Sequence, residues 1–234
     1  MSQFDDQRAM LRYVAQALGE ELREKVAFVG GCTTGLLLTD DFTREQVRST
    51  DDVDLVVHVI GYPDLYRLKN TLKARGFREP SSMDVDMPVC AMKLDHLRVD
   101  LMPDDAEVLG FSNIWYCQAL ETASPIPLGE DLTIRVVNPP LFIATKLEAY
   151  KGRGNGDPLE SRDIEDILNV VDGRAELLDE VRRSDSDLQD YIAAEFTQLL
   201  DDDNFAYAVQ SQAGDQDREA LLFERLEQLA RVRR

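Results

Sequence analysis

The residues best suited to chemistry in this sequence are two aspartates at the start of an apolar run. Asp52 and Asp54 begin the segment DVDLVV, and side chains two apart on a strand point to the same side. Two carboxylates this close repel each other unless a cation neutralises them, and oxygen ligands select hard divalent ions such as Mg²⁺ or Mn²⁺. The spacing predicts a metal site; a solvated, charged strand end is the alternative interpretation.

Asp100 lies in a similar setting, between two apolar residues of a further predicted strand. If that strand pairs beside the strand of Asp52, three carboxylates lie close together and can hold two metal ions. One ion would activate an attacking hydroxyl, and the other would bridge the phosphates and the leaving group. The sequence has two histidines and three scattered cysteines, so such a site would depend on carboxylates.

A glycine pair, Gly30-Gly31, follows the apolar segment VAFV. Glycines between a strand and a helix let the backbone approach a phosphate closely, and the N–H groups at the helix start then face the anion. Thr33 and Thr34 would add hydroxyl donors. The glycines are therefore candidate nucleotide-binding residues, and a tight turn without a ligand is the alternative.

The order of these residues resembles the signature of the DNA polymerase beta nucleotidyltransferase superfamily. Two later segments are similar to the AbiEii branch, the toxin-type nucleotidyltransferases of abortive-infection and toxin–antitoxin systems. The resemblance is carried, in chain order, by Gly30-Gly31, Thr50-x-Asp52-x-Asp54, Asp100, and the segments ATKLEAYKGRG and SRDIEDI that start at Ala144 and Ser161. It covers roughly residues 25–172, and the interval between the glycines and the first aspartate is longer than in compact members.

This resemblance implies an enzyme that moves an NMP from an NTP onto an acceptor and releases pyrophosphate, with Mg²⁺ or Mn²⁺ as cofactor. Asp52 and Asp54 would be metal ligands, and Asp100 would be the third ligand or the base for the acceptor hydroxyl. Gly30, Gly31 and Thr33 would contact the nucleotide.

The two later segments contribute one lysine and two aspartates to the candidate site. Lys146 lies in an apolar helical stretch, so its stem would be buried and its ammonium would need an anionic partner. Asp163 and Asp166 are three apart, hence neighbours on one helix face. The resemblance implies that Lys146 contacts the triphosphate and that one of these aspartates positions that lysine or the base. A surface lysine, and acidic residues beside a Ser161 helix cap, are the alternatives.

The glycine-rich basic segment from Lys151 to Pro158 lies between these two groups. It is expected either to order over phosphates or an acceptor, or to be a flexible connection.

The elements that must position these residues can be predicted from periodicity and turn residues. We expect a helix over residues 7–23, strands over 26–29, 53–60 and 132–137, a polar connection over 39–50, a helix over 64–75, and a hairpin over 89–100 about Asp95-His96. Helical periodicity dominates after Asn138-Pro139-Pro140. The chain is therefore predicted to be α+β, with residues 1–137 as a mixed α/β domain and 138–234 as a helical C-terminal domain. By the resemblance, the first is a nucleotidyltransferase α/β domain with a mixed-sheet, polymerase-beta-like core, and the second completes the active-site cleft.

Composition limits the acceptors and partners. The formal net charge of -19 argues against a general nucleic-acid binder, which usually carries a basic surface, but it leaves room for a local basic patch. No apolar segment is long enough to span a membrane, and the unpaired cysteines are typical of reduced thiols, so a cytoplasmic protein is expected.

The resemblance implies an RNA acceptor such as a tRNA end, or a protein hydroxyl, and an antitoxin protein as a partner. Two alternatives stay open from the sequence. One is a small-molecule nucleotidyltransferase of the antibiotic-resistance type, whose cationic substrate would suit the acidic charge. The other is a non-catalytic nucleotide-binding module.

Overall fold

The structure is a computed structural model that describes residues 3–81, 87–110, 112–153 and 156–232. Its chain forms two compact units. The first contains Met1–Thr33 and Arg48–Asn138, and the second contains Thr34–Val47 and Pro139–Arg234. The sequence placed the boundary between residues 137 and 138; the structure in addition assigns Thr34–Val47 to the helical unit.

The first unit is built on a mixed sheet of seven strands among its described residues. These strands are β1 (Val26–Val29), β2 (Asp52–Val57), β3 (Phe77–Arg78), β4 (Ala91–Leu94), β5 (Leu97–Pro103), β6 (Ser124–Pro127) and β7 (Thr133–Val136). Their order in the sheet is β3-β4-β5-β2-β1-β7-β6. The pairs β2–β5 and β1–β7 are parallel, and the other pairs are antiparallel. The strands over 26–29 and 132–137 and the hairpin about Asp95 are thus confirmed.

The described residues also form helices before, between and after these strands. They are α1 (Gln3–Arg23), α2 (Thr34–Leu37), α3 (Asp41–Gln46), α4 (Gly61–Lys73), α5 (Ala106–Leu109), α6 (Tyr116–Glu121), α7 (Pro139–Gly152), α8 (Arg162–Gly173), α9 (Leu177–Arg182), α10 (Ser186–Leu200), α11 (Asp203–Ala213) and α12 (Gln216–Ala230). Helices α1, α4, α5 and α6 belong to the sheet unit, and the others form the second unit. The protein is therefore α+β, as its sequence predicts. In the described part of the chain no helix is both long and apolar enough to cross a membrane.

The central strands are apolar on both sides because both of their faces are mostly covered. Val53 and Leu55 of β2 have no exposed surface, and neither does Val56, which points the other way. Near-continuous valine and leucine runs of this kind are typical of buried strands. Polar side chains on β2 are therefore confined to its first residues, where Asp52 and Asp54 lie.

The register of the parallel pair β2–β5 is fixed by contacts at the ends of the two strands. The register runs from Asp52 opposite Arg98 to Val57 opposite Pro103. Just beyond it, the Asp104 backbone N–H donates to Val57 O at 3.1 Å, and an Asp104 carboxylate oxygen lies 2.7 Å from His58 Nδ1. Because a slip of one residue would turn every side chain to the other face, this closure holds the candidate residues on one side of the sheet.

The second unit joins a short early segment to the later helices. The sequence predicted a polar connection over 39–50; this was wrong, because α3 forms there and packs against α8. Asp40 accepts a hydrogen bond from Thr43 N and caps the helix, while Thr43 Oγ1 lies 3.1 Å from Asp172 Oδ2 on α8. Arg218 of α12 also pairs with Asp172. A short polar helix is stable here because these tertiary contacts support it.

The contact between His58 and Asp104 makes the first testable prediction. The hydrogen bond that His58 donates to the Asp104 carboxylate, followed by the negative charge of Asp104, raises the pKa of His58 above the ordinary value of 6.5. Because the folded pKa is raised, the pair stabilises the fold fully below about pH 6.5 and loses this contribution as pH rises through the folded value. NMR titration of the imidazole should give a midpoint above 6.5.

Asp104→Asn is the matched control, because it keeps the backbone contact and removes the charge. It should return the midpoint towards the ordinary histidine value, with His96→Gln as background to leave a single imidazole signal. Equal midpoints with and without the Asp104 carboxylate would contradict the assignment.

Candidate functional site

The register of β2 and β5 brings the three predicted carboxylates to one face of the sheet. Asp54 lies opposite Asp100 in the parallel pair, and Asp52 lies two residues earlier on the same side. Asp52 and Asp54 are half-buried, whereas Asp100 is only 4% exposed. The pairing of these strands, on which the predicted three-carboxylate group depended, is therefore present.

Arg98 also lies on this face, opposite Asp52 in the register. Its Nε donates to Asp100 Oδ1 at 2.9 Å, and its Nη2 donates to Asp100 Oδ2, so the ion pair is bidentate. Hydrogen bonding to Asp100 raises the pKa of Arg98; burial opposes this, and the charges of Asp100, Asp52 and Asp54 add to it. Arg98 is not among the candidate residues predicted from the sequence, although its spacing of two from Asp100 places it on the same face.

The environment of Asp100 is poorly hydrated. Cys90, the residue before β4, is 2% exposed, and burial, followed by the charge of Asp100, raises its pKa to about 11. In such a region the interaction between charges is stronger than in water. The charge of Asp100 therefore has to be balanced locally.

The glycine turn is packed directly against one of the carboxylates. Gly30 has a φ of 79°, and a Cβ added there would lie 1.9 Å from Asp54 Oδ2. Gly31–Thr33 form a short 3-10 turn, in which Thr33 N and Thr33 Oγ1 donate to Gly30 O at 3.1 and 2.8 Å. The donors of Thr33 are thus used within the turn, and the clearest role of Gly30 is to let the backbone approach Asp54.

Lys146, in the second unit, forms a buried charge cluster with both predicted aspartates. It lies on α7 and is 8% exposed; its Nζ is 3.0 Å from Asp163 Oδ1 and 2.7 Å from Asp166 Oδ2 on α8. Arg153 Nε lies 3.2 Å from Asp163 Oδ2, so two cations face two carboxylates. Burial alone would lower the pKa of Lys146, but Asp166 and Asp163 together outweigh it and raise the pKa.

These contacts exclude one alternative for the cluster and leave the other in place. Lys146 is not a surface lysine. Asp163 lies in the first turn of α8, where a carboxylate is favourable, although it and Asp166 are only 2% and 0% exposed. Ser161 also caps α8, because its Oγ accepts from Ile164 N at 3.3 Å. The cap and the ion pairs are both present, and the ammonium remains charged at neutral pH.

The predicted basic segment is described only in part, because Gly154 and Asn155 lie outside the described residues. On either side of them, Arg153 and Arg162 line a cavity of about 300 Å³ together with Tyr150 and Asp163. Whether this segment orders over phosphates stays a prediction.

The carboxylate face has some of the features that a metal ion requires. Its oxygen ligands, the shared face and the close Gly30 backbone suit a hard divalent cation. As arranged, however, no group of three or more His, Cys, Asp or Glu side chains in the described ranges is positioned to hold a metal ion. Asp100 is instead engaged by Arg98.

Comparison with known proteins adds no family or function. No protein-family model matches the chain, and no curated protein matches it. The two charge clusters themselves are therefore the basis for a functional proposal.

The Gly30 turn makes the second testable prediction. Gly30→Ala should destabilise the protein, because a positive φ costs an L-residue about 1–2 kcal/mol and the new Cβ would also displace Asp54. Gly110→Ala is the matched control, because Gly110 has a φ of 76° and no atom within 4 Å of an added Cβ. Urea unfolding should show that Gly30→Ala costs about 1–3 kcal/mol more, the usual range for overpacking. Equal losses of unfolding free energy in Gly30→Ala and Gly110→Ala would mean that the close approach of the Gly30 backbone to Asp54 does not affect stability.

The Lys146 cluster makes the third prediction. Lys146→Met should destabilise the protein by about 3–5 kcal/mol, because it leaves two buried carboxylates without their shared partner. Lys151→Met, on the same helix, removes a lysine that is half-exposed and pairs with Glu195, so it should cost under about 1 kcal/mol. Chemical denaturation measures both.

Adding Asp166→Asn to Lys146→Met should recover part of the loss, since one unpaired charge disappears. If Lys146→Met and Lys151→Met are equally stable, the cluster does not stabilise the fold.

Proposed function

We propose that the protein is a metal-dependent nucleotidyltransferase that moves an NMP from an NTP onto a hydroxyl acceptor and releases pyrophosphate. The observation that carries this proposal is the placement of Asp52, Asp54 and Asp100 on one face of two adjacent parallel strands. Three carboxylates on a partly buried face need cationic charge, and a triphosphate brings divalent cations with it.

The carboxylates have two kinds of role in this proposal. Asp52 and Asp54 would be metal ligands from one strand, and Asp100 would be the third ligand or would accept the proton of the acceptor hydroxyl. Bound Mg²⁺ or Mn²⁺ would polarise the phosphate and lower the pKa of the attacking hydroxyl. Gly30 limits the movement of the Asp54 carboxylate, because its backbone lies against that side chain.

Lys146 is proposed to stabilise negative charge on the triphosphate, as the AbiEii resemblance implies. Two features support this role. An ammonium has three donors, and Asp163 and Asp166 account for two of them. Both aspartates are buried, so they hold the ammonium in a fixed position and keep it charged; they are positioning residues in this proposal.

We also propose a polymerase-beta-like core and a toxin-type role, with an RNA end or a protein hydroxyl as acceptor and an antitoxin as partner. The mixed sheet with two aspartates on one strand and one on its neighbour supports the core assignment. The net charge of -19 favours a second candidate, transfer to a cationic small molecule. The identity of the labelled product separates these candidates.

The fourth prediction is the direct test of transfer. Wild-type protein incubated with each α-³²P-labelled NTP, Mg²⁺ and total RNA should transfer label, and EDTA should abolish the transfer. Asp52→Asn and Asp54→Asn should also abolish it while the protein stays folded, because each exchange keeps the shape of the side chain and removes only its charge. Asp51→Asn is the matched control: Asp51 precedes β2 and is exposed, so its loss should leave the labelling unchanged.

The acceptor is determined in the same experiment by adding, in place of RNA, purified proteins or cationic small molecules. Labelling that persists in Asp54→Asn would rule out the proposed site. A wild-type protein that neither transfers label nor binds any NTP with Mg²⁺ or Mn²⁺ would rule out the function.

A further inference from the structure

The carboxylate face contains its own counter-ion. Two rows of side chains cross β2 and β5 on this face, Asp52 beside Arg98 and Asp54 beside Asp100. On β2 and β5, the face therefore carries three negative charges and one positive charge before any ligand binds. Lys93 of β4 lies opposite Arg98 and extends the first row by another cation.

The contact between Arg98 and Asp100 uses the atoms that a metal ion would need. Both carboxylate oxygens of Asp100 accept hydrogen bonds from the guanidinium, through Nε and Nη2. Asp100 is 4% exposed, so few other partners can reach it. Bidentate pairs of this kind are among the stronger charge-assisted hydrogen bonds in proteins. The nearby charges of Asp52 and Asp54 hold the guanidinium on this face as well.

We infer that Arg98 competes with divalent cations for Asp100, so that the protein without nucleotide binds Mg²⁺ or Mn²⁺ weakly. This inference rests on the metal site of the proposed function. A divalent ion can bind Asp100 only when the guanidinium of Arg98 leaves that carboxylate. The apparent affinity of the protein for the ion is therefore reduced by the free energy of the Arg98–Asp100 ion pair. The released guanidinium stays on the same face, where its planar fork suits phosphate oxygens. Arg98 is thus a positioning residue that keeps Asp100 ordered and neutralised until a substrate arrives.

The fifth prediction measures this competition directly. Free Mn²⁺ is followed by electron paramagnetic resonance as the full chain is added, without nucleotide. Arg98→Met should bind Mn²⁺ on the order of 10-fold more tightly than wild type, the factor expected for loss of a charged hydrogen-bonded competitor. Arg98→Lys should fall between them, because an ammonium keeps the charge but loses the fork.

Two further variants separate the specific ion pair from general electrostatics. Lys93→Met removes a positive charge from the same face one strand farther from β2, and it should tighten Mn²⁺ binding much less than Arg98→Met. Arg98→Met combined with Asp100→Asn should lose the gain in affinity, because the released ligand is absent. Circular dichroism and melting temperature establish that each variant is folded, and Arg98→Lys serves as the test variant if Arg98→Met is not.

The outcomes distinguish this inference from the proposed function. Equal Mn²⁺ affinities in wild type and the Arg98 variants, with binding present in both, would overturn the competition and leave the proposed site intact. If Lys93→Met tightens Mn²⁺ binding as much as Arg98→Met does, the inferred competition would also be overturned. If neither wild type nor any variant binds Mn²⁺, with or without NTP, the metal site and the competition both fail.

Discussion

The in-register parallel pairing of β2 and β5 is the constraint on which the candidate site depends. It places Asp54 beside Asp100 and Asp52 beside Arg98, and it makes four charged side chains share one face of these two strands. Apolar residues on the opposite face fix this register, because a slip by one position would turn the charges towards that apolar face. The same burial that stabilises the strands therefore determines where the charges lie.

Both units balance buried carboxylates with basic side chains, but with different consequences. Lys146 is buried between Asp163 and Asp166, and removing it would leave two buried carboxylates without their shared partner. The side chain of Arg98 is 36% exposed, so it can leave Asp100 at a lower cost. The Lys146 ion pairs suit a permanent arrangement, whereas the Arg98–Asp100 ion pair suits an arrangement that changes when a ligand binds.

The sequence was most informative where local pattern and tertiary structure agree. The apolar run Val26–Val29, the hairpin turn at Asp95 and the acidic residues at the start of β2 follow from alternation and turn chemistry, and the structure contains all three. Helix α3 was missed because it depends on Asp172 and Arg218, which are distant in the chain, and propensity within a short window does not contain that information. Arg98 was missed for a different reason, because its partner Asp100 lies only two residues away but their ion pair is not encoded in any propensity.

The assignment of Thr34–Val47 to the helical unit has a consequence for how the chain can be divided. The polypeptide passes between the two units three times, so neither corresponds to one continuous stretch of sequence. A cut after Asn138 would separate Thr43 from Asp172 and deprive α8 of a packing partner. During synthesis, the contacts of Thr34–Val47 can form only after roughly a hundred further residues have been added. Forming them closes a long loop of chain, and the entropic cost of loop closure grows only slowly with loop length. The second unit is therefore complete only when nearly the whole chain is present, and the two halves are unsuited to exchange as independent modules.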